Sequence, residues 1–139
     1  MTEPLGLASA LVQLSHLVQR VFAEVSRERD LTPQQAQFLC RLIGGPVGMA
    51  ELGRSMHLEK SSLTGLVDRA ERRGLVARVP DARDRRAWRI ELTDHGAGVA
   101  FDTHQSVTSR LETLAADLHP DEKAVLTSAI TQILAAPAR

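Results

Sequence analysis

A single cysteine, Cys40, leaves the chain no means of forming an internal disulfide or a cysteine zinc cluster, which fits a reducing compartment. No stretch approaches the roughly 18 consecutive apolar residues that a membrane span needs. The N-terminus also lacks a basic segment followed by an apolar run and a cleavage site. These absences predict a cytoplasmic protein with no membrane partner. No HExxH run, nucleophile elbow or phosphate-binding glycine loop is present, and His16, His57, His95, His104 and His119 stand singly. The expectation is no catalytic residue, no metal and no cofactor. Net charge is missing too: 17 basic and 17 acidic residues cancel, so the total by itself points to no polyanion.

The distribution of that charge is uneven. From Arg54 to Arg89 the chain carries ten basic residues, Arg54, Lys60, Arg69, Arg72, Arg73, Arg78, Arg83, Arg85, Arg86 and Arg89, against five acids, Glu59, Asp68, Glu71, Asp81 and Asp84. A basic centre therefore sits between acidic flanks. That polarity suits a module presenting one face to a polyanion, and it equally suits a run of solvated arginines.

The 139 residues suffice for one domain, taken as residues 1–139. Between Leu5 and Arg27, Leu7, Leu11, Leu14, Val18, Val21, Phe22 and Val25 recur at steps of three and four, predicting a long amphipathic helix. Thr32-Pro33-Gln34-Gln35 combines a capping hydroxyl, a first-turn proline and a glutamine at the third helical position, so a second helix is expected through about Ile43, stopped by Gly44-Gly45-Pro46. A short third helix follows from Met49 to Met56, with Ala50, Leu52 and Met56 turned inward. After a turn at His57-Leu58, a fourth helix places Leu63, Leu66, Val67 and Ala70 on one apolar stripe and ends near Arg73-Gly74. Opposite the stripe lie Ser61, Gly65, Asp68 and Arg72, with Ser62, Thr64 and Arg69 on its flanks.

Leu75 to Val79 reads as a strand, and Trp88, Ile90 and Leu92 alternate with Arg89 and Glu91 as its partner, joined by a hairpin loop from Pro80 to about Arg86. Thr93 caps a long fifth helix with apolar Val99, Val107, Leu111, Leu114 and Leu118. Pro120, Asp121 and Glu122 open a sixth, their acids well placed on its N-terminal dipole, with Val125, Leu126, Ala129, Ile130, Ile133 and Leu134 as its inward face. The fold class is thus mainly α with a small β-hairpin wing.

Short helix, tight turn, second helix and hairpin make the order of a winged helix-turn-helix. A helix has the diameter of the DNA major groove, and a narrow basic hairpin reaches an adjacent minor groove. On this reading Ser61, Ser62 and Thr64 approach base edges and phosphates, while Lys60, Arg69 and Arg72 supply phosphate charge.

The segment from Leu58 to Val76, the wing motif Asp81-x-Arg83-Asp84-x-Arg86 and the following Leu92-Thr93-x-x-Gly96 resemble the MarR family of bacterial winged-helix transcription regulators. The resemblance runs over almost the whole chain in helix order, with its specific motifs between about Leu52 and Gly96. It implies a DNA-binding lobe over about residues 33–96 and dimerisation helices over about 5–28 and 94–136. It implies that Arg86 enters the minor groove, oriented by a pairing between its guanidinium and Asp84. Arg83 and Arg85 then contact phosphate, and Asp81 shapes the turn. It further implies a homodimer on a pseudo-palindromic operator in double-stranded DNA, acting as a repressor that a small anionic or aromatic effector releases. His16 and Arg20, one turn apart on the first helix, are the candidate ligand residues.

Two positions depart from the family pattern. Gly65 stands where many members carry a longer polar side chain, at a cost of about 1 kcal/mol in helix propensity, and His119 stands where a serine-like cap is common. Two other functions stay open: a winged-helix protein-interaction module that reads no DNA sequence, and a redox regulator built on Cys40. The redox reading has little support in a chain with no tyrosine, because the peroxide-sensing members set their cysteine near the start of the chain among tyrosines.

Overall fold

The capping box at Thr32 forms as its residues dictate. The Gln35 backbone N–H donates to Thr32 Oγ1 at 3.0 Å and the Thr32 N–H to Gln35 Oε1 at 2.9 Å, so two otherwise orphaned donors are satisfied at once. In the computed structural model, which describes residues 6–137, this box starts the second of six helices. They are α1 (Leu7–Arg27), α2 (Pro33–Arg41), α3 (Met49–Met56), α4 (Lys60–Arg72), α5 (Asp94–Leu114) and α6 (Pro120–Ala135). The strands are β1 (Val47–Gly48), β2 (Val76–Pro80) and β3 (Trp88–Leu92). Leu5, the expected first residue of α1, lies outside the described residues.

Helix α2 stops at Arg41, short of Ile43, because Leu42 already closes onto the Leu39 carbonyl in a tightened turn that leads to Gly45 at φ +130°. Helix α3 has the expected span but not the expected face. Leu52 is buried and Met49 and Met56 pack against the core, whereas Ala50 is exposed. Positions 49, 52 and 56 already form the stripe, and one residue past 49 lies about 100° round the helix. His57 ends α3 in the left-handed conformation, φ 54°, and Leu58 N–H returns to the Gly53 carbonyl at 3.0 Å. The turn into α4 is therefore short and fixed.

All four apolar residues of α4 are buried, with Leu39, Phe38, Leu52 and Ile90 among their core companions. Gly74, at φ +72°, ends the helix in a backbone region costly to residues with a Cβ. The sheet has the order β1-β3-β2, all antiparallel, with Val76 opposite Leu92, Pro80 opposite Trp88 and Val47 opposite Ile90. Strand β2 is shifted one residue from expectation, and Pro80 sits at the end of an edge strand, where its missing N–H is tolerated. Strand β1 has no counterpart in the sequence pattern, since two residues carry no periodicity.

Helices α1 and α5 pack through Val21, Val25 and Val107, and Phe22 joins this cluster to the main core. Arg29 reaches from the end of α1 to Asp102 at 2.7 Å and Ser106 at 2.6 Å, and Arg110 grips Glu28 at 2.7 and 2.8 Å. The Arg110 hydrogen bond holds the Glu28 carboxyl below its ordinary pKa. Helix α5 ends at Leu114, so Leu118, expected within it, falls in the turn towards α6.

The expected inward face of α6 is not inward in this chain. The helix has no buried residue; Val125 is 70% and Leu134 80% exposed, as is Leu7 of α1 at 73%. The apolar pattern is present, but the described residues supply nothing to cover it. His119 does act as the cap of α6: its Nδ1 accepts from Asp121 N–H at 3.4 Å, and its own N–H donates to Glu122 Oε1 at 2.9 Å.

Thr93 joins the sheet to α5. Its N–H donates to the Leu75 carbonyl at 3.1 Å, its hydroxyl donates to the Gly74 carbonyl at 2.5 Å, and Gly96 N–H donates to the same hydroxyl at 2.9 Å. A Cβ on Gly96 would lie 1.8 Å from the Leu75 carbonyl oxygen. Gly96→Ala is expected to destabilise the fold by about 3 kcal/mol or more, at the upper end of forced overpacking; urea unfolding followed by circular dichroism measures it, and a loss under about 1 kcal/mol would show that the contact relaxes cheaply.

Candidate nucleic-acid interface

The fixed turn after α3 sets α4 at the surface with its first turn uncovered. Lys60, Ser61 and Ser62 are exposed, Thr64 is half-buried, and Arg69 and Arg72 are exposed. The Thr64 hydroxyl donates to the Lys60 carbonyl at 2.8 Å, leaving its lone pairs as the available function. Arg72 Nε leans on the Asp68 carbonyl at 3.5 Å.

The acids of α4 are taken out of play by one residue of β2. Arg78 donates to Asp68 at 2.5 Å and to Glu71 at 2.6 Å, and these bonds, that to Asp68 first, raise its guanidinium pKa above the ordinary value. One guanidinium thus bridges two carboxylates that would repel a polyanion and offsets half of their charge. Arg78, counted with the basic residues of this segment, serves as an internal clamp. Two more cations of that set also hold the fold: Arg73 donates to the Asp30 carbonyl at 2.7 Å and Arg89 to the Pro46 carbonyl at 2.7 Å. The signal for the clamp was an acid pair three residues apart on a helix followed by a lone arginine in the next strand.

In the wing, Asp81 accepts from Arg83 N–H at 2.8 Å and so shapes the turn, as expected. Asp84 departs from expectation. Its carboxylate accepts the backbone N–H of Arg86 at 3.0 Å, not its guanidinium. The amide two residues on is the nearest donor for a short acidic side chain in a turn, whereas the guanidinium lies at the end of a long flexible stem. The loop runs from Asp81 to Ala87, closed by Asp81 N–H on the Ala87 carbonyl at 3.1 Å. Arg83, Arg85 and Arg86 are all exposed.

Between the wing and the start of α4 runs an open groove of about 1220 Å³, lined by Lys60, Thr64, Arg54, Arg86 and Trp88 among others. It brings Lys60, Thr64 and Arg86 around one concavity. Arg83 and Arg85 do not line it, nor do Arg69 and Arg72 further along α4. Trp88, about half exposed at the groove's edge, carries no signal in the sequence beyond that of a strand residue. His16 and Arg20 are exposed on α1, outside the groove.

Cys40 is half-buried and burial pushes its thiol pKa up, the opposite of what a reactive thiolate needs. Among the described residues no group of three or more His, Cys, Asp or Glu is placed to hold a metal, and no helix is long and apolar enough to cross a membrane.

Comparison with known proteins places this geometry. Residues 29–87 match the MarR family profile. The multiple antibiotic resistance protein MarR of Salmonella typhimurium is 30% identical over 107 residues, spanning 76% of this chain and 74% of that protein. The chain belongs to the MarR family. MarR of Escherichia coli is 29% identical over 130 residues, 89% of this chain and 90% of that one. The crystal structure of a cysteine-to-serine mutant of the E. coli protein, complexed with operator DNA, superposes with a TM-score of 0.74 at 27% identity, over 92% of this chain and 93% of that one. NadR, solved in complex with 4-hydroxyphenylacetate, shares the fold at a TM-score of 0.80 and 20% identity, over 99% and 98% of the two chains. The winged-helix fold expected from the element order is the fold of these MarR structures.

The half-buried thiol with its raised pKa sets one expectation. Iodoacetamide at pH 8 should alkylate Cys40 more slowly in the folded MarR-family protein than in the urea-unfolded chain, as read by intact mass. Equal rates would restore Cys40 as a candidate sensor.

Proposed function

We propose that this chain is a homodimeric repressor, working in the cytoplasm, that binds a pseudo-palindromic operator in double-stranded DNA and is released by a small anionic or aromatic effector. The carrying observation is the arrangement of charge: Arg78 bridges both acids of α4 and offsets half of their charge, while Arg54, Lys60 and the wing's Arg86 line one open groove with Thr64. The operator complex of E. coli MarR supports a DNA target for this surface. Lys60, Ser61, Ser62, Thr64, Arg69 and Arg72 meet the major groove and its phosphates; Arg86 enters the minor groove, where A·T-rich narrowing concentrates negative potential. Arg83 and Arg85 add phosphate contacts. Asp84 contributes by fixing the backbone that carries Arg86.

The dimer rests on the uncovered faces of α1 and α6. A helix as apolar and exposed as α6 needs a partner surface, and a second copy supplies one by two-fold symmetry. Two recognition helices would then lie about 34–36 Å apart, one duplex turn. His16 and Arg20 are proposed as anion receptors for the effector, whose class is that of the 4-hydroxyphenylacetate bound by NadR. The activity proposed is binding, not catalysis.

Two measurements test the reading. Affinity for a selected operator should fall steeply with salt, in proportion to the phosphates neutralised, and Arg86→Ala should weaken it by roughly 1–3 kcal/mol at unchanged melting temperature; a salt-insensitive interaction would point to a protein-binding module instead. In sedimentation at micromolar concentration the wild type should run as a dimer and Leu134→Glu should shift it towards monomer with loss of operator binding. A wild-type monomer would remove the assembly.

A further inference from the structure

Gly65 lies on the outward face of α4, yet it is half-covered. Its cover is Arg69. A Cβ built on Gly65 would sit 3.2 Å from Arg69 Nη1 and 3.9 Å from both Cζ and Nη2, its three nearest neighbours outside the backbone of the helix itself. Side chains on a helix lean towards its N-terminus, so a long residue one turn later reaches back over the glycine. The guanidinium thereby occupies the space that a side chain at position 65 would fill, in the half of α4 that carries Ser61 and Ser62. Its donors are uncommitted: Asp68, the adjacent carboxylate, is bound to Arg78 at 2.5 Å, and among the described residues no acceptor takes the Arg69 side chain.

We propose that Arg69 is a specificity-determining residue that reads a base edge through the gap left by Gly65, rather than a phosphate contact. The inference rests on the reading of α4 as the helix in the major groove. A planar fork of N–H donors, held over bare backbone and free of protein acceptors, matches the paired O6 and N7 acceptors of guanine. The short hydroxyls at positions 61 and 62 leave that space to it. The glycine and the arginine then act as one unit, with position 65 supplying the room and position 69 the reading group.

The experiment is selection of bound duplexes from a random pool, with wild type, Arg69→Ala, Arg69→Lys and Gly65→Gln, each followed by salt titration. Wild type should select a guanine at one position of each half-site. Arg69→Ala should lose that preference alone and bind the wild-type site roughly 5- to 150-fold more weakly. Arg69→Lys, which keeps the charge but not the fork, should keep the salt slope and weaken the guanine preference. Gly65→Gln should change the preference at the same position without lowering the melting temperature, since only an exposed side chain has to move and glutamine is the better helix former. A selected motif unchanged in Arg69→Ala, or a weakening uniform across sequences with the salt slope reduced by about one, makes Arg69 a phosphate contact and overturns the proposal. Absence of any sequence preference in wild type fells the reading of α4 itself, an outcome distinct from a preference that survives the loss of Arg69.

Discussion

Everything outward-facing depends on how closely the start of α5 sits on the turn that ends α4. Thr93 bonds both carbonyls of that turn, at Gly74 and Leu75, and Gly96 permits the approach by having no side chain. Three elements meet there: the last turn of α4, the end of β3 and the first turn of α5. The Thr93 N–H bond to Leu75 and the approach of Gly96 are backbone against backbone, and the Thr93 hydroxyl adds a side-chain bond to Gly74. α5 continues into the valine cluster with α1, and Phe22 of that cluster also touches the main core. Packed atoms therefore join the long helices to α4, and the proposed effector release would use that link.

The second principle of the structure is the sorting of charge. A net charge of zero conceals two populations of arginine. Arg29, Arg73, Arg78, Arg89 and Arg110 are held by carboxylates or carbonyls of the chain itself. Such pairs at a surface contribute little to stability, about 0–1 kcal/mol each. Their effect is electrostatic: by bridging Asp68 and Glu71, Arg78 offsets half of the acidic charge on α4. Arg83, Arg85 and Arg86 remain exposed at the wing. Counting charges along the sequence could not distinguish the two populations, because that distinction is made by which strand lies behind which helix.

What the sequence revealed follows the range over which each signal acts. The Thr32 box, the Met49–Met56 span, the four-residue stripe of α4 and the Asp81 turn are set by residues within a turn of one another, and all are found. Strand β1 escapes a sequence reading because its two residues are strand only by virtue of Ile90 and Arg89, more than forty positions away. Ala50 is misplaced because composition marks it as apolar, while geometry has already filled the inner face with Met49, Leu52 and Met56. For α6, periodicity identifies an apolar face correctly but cannot say that the rest of this chain leaves it bare. Family resemblance gives Asp84 a side-chain partner, and the folded chain gives it a backbone one. The groove at Trp88 and the cover over Gly65 arise only when separate side chains fold towards each other.

The wing separates shape from content. Its curvature is maintained by Asp81 and Asp84 through main-chain amides, and by the Asp81–Ala87 closure, none of which involves the side chains at positions 82, 83, 85 or 86. Those four side chains can thus change without breaking these bonds, proline at 83 or 86 excepted because it would remove a donating N–H. Single substitutions there would retune the contacts proposed for the hairpin while the scaffold underneath stays still.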